Sequence, residues 1–183
     1  MRMTAPIDPA RTALLLIDWQ VDFAAPQGAM ALQGRDLSSV PAALAEATVL
    51  LDAARGVGLL PVFVRLHSAD LCAPGTPGAD FFRIAPRPDD LVVTKPLYSA
   101  FAGTGLAASL KDRGIDTLVL SGLTSECCVA ATAWAAFEEG FAVVIAANAC
   151  AAYEPALHDN ALRALALSGA ELSAASDIMA RLP

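Results

Sequence analysis

The chain has 183 residues, enough for one domain with a sizeable core, so residues 1–183 are read as a single unit. It is 56% hydrophobic and 17% charged, with a formal net charge of −7. That balance argues against nucleic acid as a partner, which needs concentrated Lys and Arg. Its apolar excess is read as subunit interface, so a homo-oligomer is expected.

Taken in chain order, residues 1–12 hold no long apolar stretch before a cleavage-like site, and the chain is read as cytoplasmic and unprocessed. Continuous apolar runs at 13–17, 60–66, 91–94, 117–121 and 142–146 have the character of strands buried on both faces. Helical spacing falls between them at 40–55, 104–113, 127–139 and 155–167, and a last strand and helix are expected at 171–173 and 175–181. No apolar run reaches the roughly 18–20 residues of a membrane span, so no membrane partner is expected. The alternation predicts a three-layer α/β/α fold around a mostly parallel sheet of about six strands. The stretch 68–88, rich in Pro, Gly and Asp, is the longest irregular segment and is a candidate lid.

Parallel α/β sheets bind ligands at the carboxyl ends of their strands. Asp18 closes the first run, Lys95 follows the third, and Cys128 follows the fourth after a short turn. Val129, Thr132, Ala133, Ala136 and Phe137 continue at helical spacing, which puts the Cys128 sulfur near a helix amino end. Unpaired amides there, with Lys95 nearby, would lower the thiol pKa. Asp18 would shuttle the proton as general base and then acid, Lys95 would hold the charges together, and the turn 122–127 would present amides to an oxyanion. Taken singly, each residue has a plainer reading: a turn Asp, a solvated Lys, a Cys filling core. The other cysteines, Cys72, Cys127 and Cys150, show neither zinc spacing nor a disulfide framework, and reduced thiols are expected. The vicinal pair Cys127–Cys128 is poorly placed for a relaxed disulfide.

Three segments narrow the choice. Leu-Leu-Leu-Ile-Asp-Trp-Gln-Val-Asp-Phe at 14–23 resembles the opening strand of the isochorismatase-like cysteine hydrolases. Val-Thr-Lys-Pro-Leu-Tyr-Ser-Ala-Phe-Ala-Gly-Thr at 93–104 resembles their lysine segment, and Ser-Gly-Leu-Thr-Ser-Glu-Cys-Cys-Val-Ala-Ala-Thr-Ala at 121–133 their nucleophile turn. The resemblance implies a catalytic triad of Asp18, Lys95 and Cys128, with Gly122 and Val129 selecting Cys128 over Cys127. It also implies a cis peptide between Leu123 and Thr124, with the Thr124 and Cys128 amides as oxyanion hole. Phe23 matches a pocket residue of the family; Tyr98, Phe101 and His67 are further candidates for contact with substrate.

The activity so implied is hydrolysis of a C–N bond in a small amide, ureido or carbamoyl compound through a thioester, releasing ammonia or an amine, with no cofactor. Members acting on isochorismate commonly lack the cysteine, so its presence favours amide chemistry. The lysine segment looks most like ureidoacrylate and carbamoyl-type amidohydrolases. Nicotinamidase-type members bind a metal through an Asp and several His, whereas this chain reads Val64-Arg65-Leu66-His67 and its other histidine, His158, is read as a surface residue. No metal is therefore expected. Asn148-Ala149 stands where the family usually has Asp-Ala, and Trp19 and Trp134 are read as packing residues. The alternatives are a nicotinamidase or pyrazinamidase-like amidase, and a catalytically silent member kept for binding.

Overall fold

A computed structural model describes residues 5–183; the leader reading rests partly on residues 1–4, outside the described residues. Strand β1, Thr12–Ile17, is buried at every position, because helices cover both faces of the sheet and leave no side of the strand to water. It lies between β2, Leu60–Leu66, and β4, Thr117–Leu123, parallel to both. With β3, Leu91–Lys95, β5, Ala142–Ala151, and β6, Glu171–Ser173, the order across the six-stranded sheet is β3-β2-β1-β4-β5-β6, with every pairing parallel.

Two short helices, α1 at Val21–Ala24 and α2 at Ala29–Leu32, follow β1 and have no counterpart in the periodicity reading. Helix α3, Val40–Gly56, buries Val40, Ala43, Leu44, Ala47, Leu50, Leu51 and Ala54, the three-and-four spacing that makes one apolar stripe. Pro41 fits its first turn, where no amide is needed, and Gly58 at φ 74° ends the chain's helical course. It packs on one face of the sheet with α7, Ala175–Met179, against Leu14, Leu16, Phe63 and Val144. The opposite face carries α4, Leu106–Asp112, α5, Ala130–Glu138, and α6, Pro155–Leu167, over Leu15, Ile17, Val64, Leu120 and Ile145. Each large aliphatic side chain so buried contributes about 1.5–3 kcal/mol.

Two differences from the sequence reading bear on the site. Strand β5 continues past residue 146 to Ala151, because its register against β4 shifts between Leu120–Ile145 and Gly122–Cys150 and lets a run of small residues rejoin the ladder. Helix α5 begins at Ala130, not at residue 127. Residues Ser125–Val129 form a wider π-type turn ahead of it, so Cys128 sits in that turn.

Candidate active site

After β1 the chain builds β2 and β3 to one side, then crosses to β4 on the other. The carboxyl ends of β1 and β4 therefore flank a crevice at the point where the winding reverses. Asp18 leaves β1 with φ 54°, a left-handed conformation that Asp tolerates better than most residues. Gly122 in β4 has φ 149°, and a Cβ there would lie 2.2 Å from the Ile17 carbonyl oxygen. Only glycine lets the turn that carries Cys128 come this close to β1. The Leu123–Thr124 peptide that opens the turn is cis, as the resemblance implied.

Lys95 is the hub. Its Nζ lies 2.8 Å from Asp18 Oδ2 and 3.3 Å from Cys128 Sγ, and donates to the Leu97 carbonyl at 3.0 Å. The Asp18 and Lys95 side chains are wholly buried and Cys128 is nearly so, although they come from three separate strand ends. Burial raises the Asp18 carboxyl above its ordinary value, against the pull of Lys95, and makes it a stronger base than an exposed aspartate. Burial works against the Lys95 ammonium as well, but the charges of Asp18 and Cys128 outweigh it and hold Lys95 above the usual lysine value.

The Cys128 thiol departs from the sequence expectation. A hydrogen bond with the Cys127 thiol, then burial, then the Asp18 charge push its pKa up, while Lys95 alone pulls it down. Cys127, half-buried beside it, moves down through the same hydrogen bond.

The sequence model described as "Isochorismatase domain" matches residues 12–177. The chain belongs to the isochorismatase family. Among solved structures, a cysteine hydrolase from Pseudomonas syringae pv. phaseolicola 1448A superposes with a TM-score of 0.86 at 23% identity, over 99% of this chain and 98% of that one. An isochorismatase family protein from Desulfovibrio vulgaris gives 0.80 at 30% identity, covering 91% and 95%. A nicotinamidase from Bacillus subtilis gives 0.79 at 31%, covering 89% and 99%.

Within this isochorismatase fold, a cavity of about 430 Å³ opens over Cys128. Phe23, Met30, Leu66, Leu71, Tyr153 and Leu157 form its apolar and aromatic wall, Tyr98 lines it with its side chain largely exposed, and Thr124, Arg35, Glu126 and Glu154 add polar groups. Of the residues singled out from sequence, Phe23, Tyr98, Thr124 and Cys128 line this cavity. Phe101 does not; its ring stacks on Phe141 at 5.8 Å in the core beneath α5. His67 also lies off the lining, half-buried, its amide donating to the Lys95 carbonyl at 3.1 Å. Desolvation and then Arg65 lower its pKa.

Other residues went unread. Tyr153 lines the cavity and its hydroxyl donates to the Phe23 carbonyl at 2.9 Å, but a single Tyr after a strand carries no pattern. His158, read as a surface residue, instead pairs its Nδ1 with the Ser125 hydroxyl at 2.7 Å and ties α6 to the turn that carries Cys128. Asn148 accepts the Ala175 amide at 2.8 Å and caps α7, a structural task that needs no charge. Among the described residues no three His, Cys, Asp or Glu side chains gather where they could share a metal ion, so the donor set does not fit one.

The segment 68–88 is bonded to the residues directly after Asp18. Phe82 donates to the Trp19 carbonyl at 2.8 Å, Val21 to the Asp80 carbonyl at 2.9 Å, and the Gln20 amide group to the Ala79 carbonyl at 2.9 Å. Asp22 accepts the Cys72 amide at 2.8 Å and the Ala29 amide at 3.2 Å. These contacts tether the segment to the residues that follow Asp18, and Leu71 brings it to the cavity wall.

Proposed function

We propose that this protein hydrolyses a C–N bond in a small amide, ureido or carbamoyl compound, with Cys128 as nucleophile. The reading is carried by one observation: Lys95 Nζ bridges Asp18 and Cys128 in a buried cluster whose Cys128 end lines the cavity. Asp18 takes the thiol proton as sulfur attacks the carbonyl, and Lys95 keeps the sulfur and the carboxylate in one charge-balanced unit. The Thr124 and Cys128 amides face the developing oxyanion. Asp18 then returns its proton to the departing nitrogen, leaving a thioester and ammonia or an amine. Water, deprotonated by the same carboxylate, cleaves the thioester and restores the thiol.

Phe23 and Tyr98 serve as substrate contacts, the first buried and the second largely exposed. Four free thiols support a reducing, cytoplasmic setting. Leu32, Leu97, Tyr98 and Leu167, all large and well exposed, support assembly into a homo-oligomer. The similarity to a nicotinamidase favours a second substrate class, aromatic carboxamides.

Ammonia release from linear amides, carbamoyl compounds and nicotinamide, measured with and without a chelator, tests the reading. Turnover that resists the chelator and falls by about 10³ or more in Cys128→Ala is the expected result. Absence of turnover across the panel, with Cys128 inert to alkylation, would favour a binding protein instead.

A further inference from the structure

The nucleophile turn carries a carboxylate that the mechanism leaves idle. Glu126 lines the cavity with Cys127, Cys128, Phe23 and Tyr153. Its Oε2 is buried, and no donor among the described residues reaches it. Of the other polar groups on the lining, the Tyr153 hydroxyl donates to the Phe23 carbonyl, and Arg35 and Glu154 are exposed; in the same turn the Ser125 hydroxyl is paired with His158. The Glu126 charge nevertheless acts inside the site, since after burial it is the next cause raising the Tyr153 phenol.

A buried carboxylate oxygen with no donor is unfavourable for folding, so it does not stand there to hold the fold. The remaining wall is mostly apolar, formed by Phe23, Met30, Leu66, Leu71 and Leu157. The lining also holds Arg35 and a second carboxylate, Glu154, but both are exposed; Glu126 is the acidic residue there with a buried oxygen, and a placed acceptor among apolar walls fixes which ligand is accepted. Because Glu126 stands two residues ahead of Cys128 in the same turn, its acceptor serves the end of the substrate that reacts.

We propose that Glu126 is a specificity residue that accepts a hydrogen bond from an N–H on the side of the scissile carbonyl away from the departing nitrogen, and so selects ureido and N-carbamoyl compounds over plain carboxamides. The proposal rests on the hydrolase reading above and narrows it. In R–NH–CO–NH₂ the alkyl-side nitrogen supplies the donor that Oε2 lacks. In R–CH₂–CO–NH₂ a methylene meets the carboxylate and leaves it unpaired, and sites built around a hydrogen bond reject such analogues far more strongly than they reject a change of size.

N-carbamoylglycine and succinamate form the matched pair, differing by NH against CH₂; glycinamide adds a cationic comparison. Each compound is assayed for kcat and KM with wild type, Glu126→Gln and Glu126→Met, and for binding to Cys128→Ala and to Cys128→Ala carrying Glu126→Met by calorimetry. Thermal unfolding confirms that each variant folds, and Glu126→Ala replaces Glu126→Met should the latter not fold. Expected is a preference for N-carbamoylglycine over succinamate of at least about tenfold in wild type, kept in direction by Gln, which retains an acceptor, and lost in Met. An equal preference in wild type and Met, or no preference in wild type, overturns the proposal. Preference for glycinamide that Gln abolishes overturns it in favour of a cation site. Binding preference that depends on Glu126 without any turnover sustains the proposal and removes the hydrolase reading; turnover with a preference indifferent to Glu126 does the reverse.

Discussion

The sheet carries ion pairs at both ends, and their surroundings could hardly differ more. At the amino ends Arg11 pairs with Asp116 through side chains 63% and 44% exposed, where water screens both charges. At the carboxyl ends Lys95 and Asp18 meet at 2.8 Å with no exposure at all. An exposed pair contributes about 0–1 kcal/mol, whereas a buried pair pays for desolvation and is often no better for stability than apolar residues of the same size. Stability alone thus gives little reason to keep the Lys95–Asp18 pair dry, which agrees with the catalytic role proposed for it.

That contrast can be broken most sharply at Lys95. Lys95→Met leaves the Asp18 charge buried and alone, and urea unfolding should show a loss of about 3–5 kcal/mol. A loss below 1 kcal/mol would mean that Asp18 readily becomes neutral when unpaired. The next effect concerns pH. Asp18 must be a carboxylate to accept the thiol proton, and its pKa is raised, so kcat/KM should fall on the acid side at a pH above the ordinary value of 3.8. Asp18→Asn should remove that limb together with most of the activity. A limb at or below the ordinary value would contradict the raised base.

A smaller effect is expected at the sulfur pair. Cys127→Ala removes the first cause raising the Cys128 thiol, so the pH profile of Cys128 alkylation, read by mass spectrometry, should move down towards the ordinary 9.0. An upward move would assign the proton between the two sulfurs the other way round. Smallest of all is Arg11→Ala, which should change stability by no more than about 1 kcal/mol, and less as salt is added.

Much of the architecture could be read from the chain because its strands are unbroken apolar runs, and their ends place Asp18, Lys95 and Cys128 on one rim. Periodicity failed where side chains were small. Residues 146–151 give no alternation to read, so the second half of β5 emerges only through its register with Gly122 and Leu123. Aromatic residues were ambiguous for another reason: Phe101 and Tyr98 stand three positions apart, yet one is stacked in the core and the other is 63% exposed on the cavity lining. Which of them touches a ligand depends on packing between distant elements. Glu126 escaped notice because nothing in a local pattern marks a carboxylate oxygen as lacking a donor.

The bonds from segment 68–88 to Trp19, Gln20, Val21 and Asp22 also bear on how such a protein could diversify. Leu71 lies on the cavity wall, and its neighbour Cys72 is bonded to Asp22, so reshaping the cavity there strains the strand end that aims the base. Tyr98 and Leu157, 63% and 40% exposed across the same opening, carry no such tether in the bonds described. New substrate ranges are thus reached with least damage on the Tyr98 and Leu157 side, and divergence among descendants of this sequence should be written unevenly around a single rim.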